Sequence, residues 1–198
     1  NLKIYFDFDS IRAKTLEFVG EGSISHDASA GAQNISIPSA TFKFGETQDF
    51  TIMFWFKTTT TGRTFFDNSD GSSIGYKIYG STRIVCAMKG DGGTANDGDS
   101  GGSTTWNDGE WHHWAGVFNR ASSRYFYLDG VLDRSLGISS VGDIDNLMPI
   151  HFMNNNQVTV GNNGLLNGGM KNVGIWKRAL TLPEVQNIMY KTYDNLKG

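Results

Sequence analysis

Between Phe50 and Lys57 the chain runs Phe-Thr-Ile-Met-Phe-Trp-Phe-Lys, and this stretch restricts the fold more than any other. Successive side chains of a strand point to opposite faces, so Phe50, Ile52, Phe54 and Phe56 share one face while Met53 and Trp55 share the other. A strand that is apolar on both faces has to be covered on both, which places it in the middle of a sheet. Trp111-His112-His113-Trp114-Ala115-Gly116-Val117-Phe118 reads as a second central strand. Residues 125–128 lead through Asp129-Gly130 into Val131-Leu132, and a two-residue Asp-Gly linker between apolar runs signals a type I′ hairpin.

Shorter strands are expected at 2–8, 64–66, 74–79, 83–88, 150–153, 158–161 and 172–177, separated by turn-rich pieces such as 67–71 and 80–81. From Lys89 to Thr105 the residues are almost all Gly, Asp, Asn, Ser and Thr, a composition that predicts one long loop. Only the end looks helical: Thr181-Leu182-Pro183-Glu184 fits a capping box, and Leu182, Val185, Ile188 and Met189 fall on one face. With 25 Gly against 3 Pro, and no repeat or low-complexity linker, the chain reads as one all-β domain over residues 1–198. The strands at 64–66, 74–79 and 83–88 resemble a meander, and one short C-terminal helix ends the pattern.

A formal net charge of −3 and the lack of any basic stripe argue against a nucleic-acid partner. No apolar run is long enough to span a bilayer. Cys86 is the single cysteine, so no intrachain disulfide can form, and the redox compartment is left open. The chain begins at Asn1 without a charged-then-apolar leader, which a processed or excised fragment would explain, as would a sequence given only in part.

Four segments in order resemble the laminin-G-like jelly rolls of the concanavalin-A-like lectin and glucanase group. They are the aromatic strand 50–57; Asp108-Gly109-Glu110-Trp111-His112-His113-Trp114-Ala115; Tyr127-Leu128-Asp129-Gly130; and 169–173 running into Trp176-Lys177-Arg178-Ala179-Leu180-Thr181 and Glu184. The resemblance implies a two-sheet antiparallel jelly-roll sandwich, one sheet concave, with one short C-terminal helix, as found in modules that bind glycans or extracellular proteins. Members with calcium often carry an Asp in the last strand, and Lys171 falls about where that carboxylate is expected, with its ammonium as a candidate to occupy the charge site.

Catalysis by a glucanase of this group needs carboxylates on alternate residues of one strand, and no such run exists. Glu17, Glu21, Glu46, Glu110 and Glu184 are scattered, so no enzyme is expected. His112 and His113 are adjacent in a strand and point to opposite faces, which prevents joint chelation. His113, on the face of Trp111 and Val117, reads as a hydrogen-bonded core residue. The acidic stretch with Asp91, Asn96, Asp97 and Asp99 is either a solvated loop or a calcium-binding one. Trp55 and Trp114 either pave a sheet face or fill a core.

Sugar recognition pairs flat aromatic faces with amide and carboxylate acceptors. The residues that offer this beside polar loops are Trp106, Tyr76, Tyr79, Asp67, Asn68, Asp70, Asn154, Asn155, Asn156 and Asn162, with Trp106 expected to be exposed. The function expected is a non-catalytic, lectin-like module of a secreted, cell-surface or virion protein that binds an oligo- or polysaccharide. An extracellular protein-interaction module is the alternative, and a glycoside hydrolase or lyase the third reading.

Overall fold

The computed structural model describes residues 2–6, 17–18, 24–26, 35–37, 43–69, 74–91, 96–99, 105–138, 141–154 and 166–191, with strand backbone alone at 2–6, 17–18, 24–26, 35–37 and 96–99. The strands are β1 (Leu2–Phe6), β2 (Glu17–Phe18), β3 (Ile24–His26), β4 (Ile35–Ile37), β5 (Phe50–Thr58), β6 (Thr64–Asp67) and β7 (Gly75–Gly80). They continue as β8 (Ile84–Lys89), β9 (Asn96–Asp99), β10 (His112–Asn119), β11 (Ser123–Leu128), β12 (Val131–Gly137), β13 (Ile150–Phe152) and β14 (Gly168–Trp176), and α1 covers Leu182–Ile188. One sheet runs β12-β11-β10-β5-β14-β3-β2 with β1 also on β14, and the second runs β4-β13-β6-β7-β8-β9. All the pairings are antiparallel. This is the expected jelly-roll sandwich, with α1 the one helix among the described residues.

The alternation in β5 builds the space between the sheets. Phe50, Ile52, Phe54 and Phe56 point inward beside Trp114, Phe118, Phe126, Met170, Val173 and Ile175 from neighbouring strands. The second sheet answers with Phe65, Phe66, Tyr76, Ile78, Ile84, Cys86, Met88, Ile150 and Phe152. Phe50 stacks on Phe118 at 4.3 Å between centroids, and Phe54 on Trp114 at 5.4 Å, so cross-strand aromatic pairs hold β5 and β10 in register. Cys86 is a buried free thiol, as a small hydrophobe there should be.

The turn at 129–130 has φ of 51° at Asp129 and 74° at Gly130, the two positive values a type I′ turn demands. Glu184 accepts hydrogen bonds from the Thr181 N–H at 2.8 Å and the Thr181 hydroxyl at 3.0 Å, which fixes the start of α1 where the capping chemistry puts it.

The stretch expected to be one loop from Lys89 to Thr105 instead contains β9, paired with β8 from Val85↔Asp99 to Met88↔Asn96. An edge strand needs partners only for its backbone, so polar side chains do not forbid it. The expected strand at 158–161 lies outside the described residues.

Candidate functional site

Of the residues expected to meet a sugar, Trp106, Tyr76, Asp67, Asn68 and Asn154 are buried in the structure. Trp106 is 4% exposed, not a free ring at a loop end: it packs on Phe56 and Phe65, and a side chain on Gly80 would collide with its six-membered ring. Gly80 in β7 therefore forms the slot that swallows Trp106. Tyr76 is likewise in the inter-sheet core, stacked on Phe66 at 5.6 Å, and burial raises its phenol pKa far above the ordinary value.

Asp67, Asn68 and Asn154 are buried polar groups. Asp67 accepts from the Ser69 N–H and hydroxyl at 2.7 and 2.6 Å, while the Asn68 amide donates to the Met148 carbonyl at 2.9 Å. Tyr79 is half-buried on the outer face of the second sheet, with the Lys77 ammonium 5.6 Å from its ring centroid. Asp91 is exposed and its N–H donates to the Asp143 carbonyl. Asn96, Asp97 and Asp99 lie in β9 with no side chain described; Asp70, Asn155, Asn156 and Asn162 fall outside the described residues.

The structure draws attention to a different place, the outer face of the larger sheet. Met53, Ala115, Val117, Tyr127 and Trp176 point there and form a second apolar cluster with Leu180, Val185 and Met189, closed by α1. Beyond the end of α1 the same face continues with Trp55, His113, Trp111 and Lys171. Trp55 lies directly opposite His113 on one side and Lys171 on the other, so the three share a face. The Trp55 and His113 rings are 5.3 Å apart, and the Trp55 indole N–H donates to the Met189 carbonyl at 2.7 Å. That bond uses a carbonyl of the helix end left free by the helix ladder. Tyr190, 76% exposed, follows immediately and its ring stands 6.1 Å from that of Trp55. Trp111 and Trp55 are each half-buried, and Lys57, two residues along β5 from Trp55, is exposed.

Lys171 follows the inward-facing Met170 and stands on this surface just before a β-bulge. The pairing of β14 with β5 shifts between Lys171 and Gly174, and Asn172 adopts φ of 51°. The extra residue after Lys171 turns Val173 into the inter-sheet core, where it is fully buried. The Lys171 ammonium sits 4.3 Å from the Trp111 ring centroid, a cation–π contact. An ammonium in this position does not suit a cation, so Lys171 does not fit the family's calcium ligand. Among the described residues no group of three or more His, Cys, Asp or Glu is placed to hold a metal.

Two histidines frame the platform differently. His113 is buried, and burial pushes its pKa down to about 3 with Asp129 countering only in part. Its Nδ1 has no hydrogen-bond partner among the described residues, so the expected hydrogen-bonded core histidine is a packed neutral ring under Trp55. His112 turns the other way, with Nδ1 2.8 Å from an Asp129 carboxylate oxygen and Nε2 3.1 Å from one of Asp108. Burial opposes its charge, but the two carboxylates outweigh that and raise its pKa.

Several carboxylates are committed to such contacts: Asp49 to the Arg120 N–H, Asp145 to the Phe44 N–H, Asp108 and Asp129 to His112, Glu184 to Arg178. Trp114 fills the inter-sheet core, whereas Trp55 is the one of the pair that paves a face. Local alternation finds both faces of β5; it does not say which part of the outer face the helix leaves open.

The family model described as the concanavalin A-like lectin/glucanases superfamily matches residues 29–186. No curated protein sequence matches the chain. Among solved structures, the botulinum neurotoxin serotype G binding domain is similar with a TM-score of 0.73 at 15% identity, covering 96% of this chain and 51% of that one. The binding domain of botulinum neurotoxin DC is similar in its complex with rat synaptotagmin II, with a TM-score of 0.63 at 13% identity over 91% of this chain and 46% of that one. In its complex with SialylT the TM-score is 0.62 at 12% identity, over 90% and 45%. The chain thus spans about half the length of these solved chains.

Proposed function

The chain belongs to the concanavalin A-like lectin/glucanase superfamily, and from that premise we propose that it is a non-catalytic carbohydrate-binding module that takes a saccharide onto the surface formed by Trp55, Trp111 and Tyr190. The observation that carries this reading is the division of one sheet face: α1 closes its apolar half, while the aromatic half beyond the helix end keeps ring surface in water. Indole and phenol faces stack on the C–H faces of sugar rings, and the neighbouring ammonium groups and Tyr190 hydroxyl donate to sugar oxygens. The neurotoxin DC binding domain, solved with SialylT, is a fold-level parallel and carries no residue of its site over to this chain. In this reading the module works outside the cytoplasm, as part of a larger secreted, cell-surface or virion protein.

A second reading, a protein-interaction module, draws on the hairpin tip, where Val131 is 67% and Leu132 48% exposed on the edge strand β12. An unpaired strand edge with apolar side chains invites an added strand from a partner.

A glycan array decides between them, run with and without chelator because Asp91, Asn96, Asp97 and Asp99 are where an ion would act. Saccharides retained by the wild type and weakened by roughly 1–3 kcal/mol in Trp111→Ala, with the melting curve little changed, are the expected result. An array without hits, or hits indifferent to Trp111→Ala, overturns the reading. A partner lost only on Leu132→Ser favours the second.

A further inference from the structure

Resting on the platform reading, the geometry points to a saccharide that carries an anionic substituent, a carboxylate or a sulfate, with Lys171 as its charge partner. Lys171 lies in β14 opposite Trp55, and alternation after the buried Met170 puts it on the outer face, just before the bulge at Asn172. A bulge inside a sheet breaks ladder hydrogen bonds, and such features re-aim a side chain next to binding sites. Here the side chain beside the bulge is a half-buried cation, in register with Trp55 across the sheet and with its ammonium over the Trp111 ring.

Among the described residues no carboxylate forms an ion pair with Lys171. The carboxylates nearest in sequence to Trp111 with resolved partners, Asp108 and Asp129, are both held by His112. Glu110 is exposed at the rim of the same turn. A ring quadrupole attracts the ammonium without neutralising it, so Lys171 retains a full charge to offer. Its half-buried stem and the contact with Trp111 fix the position of that charge in advance, which lowers the ordering cost when an anion arrives. Lys57, exposed on the same face, adds a second cation that steers an anionic ligand toward the rings. A neutral sugar would stack on Trp111 as well, but would leave Lys171 without the counter-ion its setting favours.

The test uses three matched probes, lactose, sialyllactose and sulfated lactose, titrated into the wild type, Lys171→Met and Lys171→Arg, with melting curves as fold control. The wild type should bind at least one anionic probe ten-fold or more tighter than lactose, with an affinity that falls as salt rises. Lys171→Met keeps the stem and loses the charge, so it should erase the preference and its salt dependence; Lys171→Arg should keep most of both. The probe that loses affinity identifies the anion as carboxylate or sulfate. Equal binding of all three probes by the wild type, or a preference that survives Lys171→Met, overturns the inference. Trp111→Ala separates the two ideas: loss of all binding without any charge preference leaves the platform standing and removes the role of Lys171. Binding unaffected by Trp111→Ala, or absent in the wild type, removes both.

Discussion

The outer face of the larger sheet carries two halves of similar apolar character with opposite fates. Trp176 in one half is 3% exposed beneath the residues around α1, its ring lying over Gly174, where any side chain would collide with it. Trp111 in the other half is half-exposed and shares its ring with a lysine. The helix is only seven residues long, so it can close one half and no more. What it leaves open is the part of the sheet where chemistry is available to a ligand, which shows that coverage, not side-chain type, separates packing from recognition on this face.

The largest effect expected from this division is on stability. Trp176→Ala should cost about 3–5 kcal/mol in chemical denaturation, since it empties a closed site. Trp111→Ala should cost about 1 kcal/mol or less, because much of that ring is already in water. Equal costs would mean that the two halves are one core.

The histidines sharpen the contrast through pH. His113 stays neutral in the folded chain down to about 3, whereas the unfolded chain protonates near 6.5. Its contribution therefore falls as pH drops below 6.5, by about 1 kcal/mol at pH 5.5. His112, with a raised folded pKa, works the other way: its stabilisation is fully present below 6.5 and is lost as pH rises through the folded value. His112→Gln should thus steepen the loss of stability between pH 7 and 5.5, and His113→Phe should flatten it. Ring-proton titration should place the His112 midpoint above 6.5 and leave His113 unprotonated at pH 5. The reverse assignment would put the buried imidazole on the wrong side of the strand.

How far the sequence speaks depends on whether the deciding partner is local. The inward face of β5 follows from four aromatic and aliphatic residues at period two, and the hairpin at 129–130 from two residues whose φ values only a few side chains accept. The capping box at 181–184 is similarly self-contained. Trp106 was not legible because its slot is made by Gly80, on a strand far away in sequence. β9 was not legible because backbone pairing with β8 needs no apolar pattern. For the platform, the sequence shows Trp55, Trp111 and Lys171 but not the strand register that brings them together, nor the point at which α1 stops. The tyrosine at that point, Tyr190, carries no pattern of its own.

The smallest effect lies at the helix start, and it tests whether the two halves are independent. Glu184 accepts two bonds from the Arg178 guanidinium, at 2.7 and 3.0 Å, and two from Thr181. Arg178 first, and the Thr181 N–H next, hold its pKa down to about 2 from an ordinary 4.5. Both side chains are substantially exposed, at 42% and 38%, so solvent screening keeps the pair weak. Glu184→Gln retains an acceptor for Thr181 and removes the charge, which should cost about 0.5–1 kcal/mol at pH 7. A depressed folded pKa stabilises above the unfolded value and ceases to do so as pH falls through the folded one. The difference between wild type and Glu184→Gln should therefore shrink from pH 4.5 downward and vanish near 2. The platform is met only at the other end of α1, where the Met189 carbonyl holds Trp55 and Tyr190 follows. Saccharide affinity should then change less than two-fold in Glu184→Gln. If affinity instead drops along with stability, the cap and the platform share one cooperative unit, and the open half depends on the closed one for its shape.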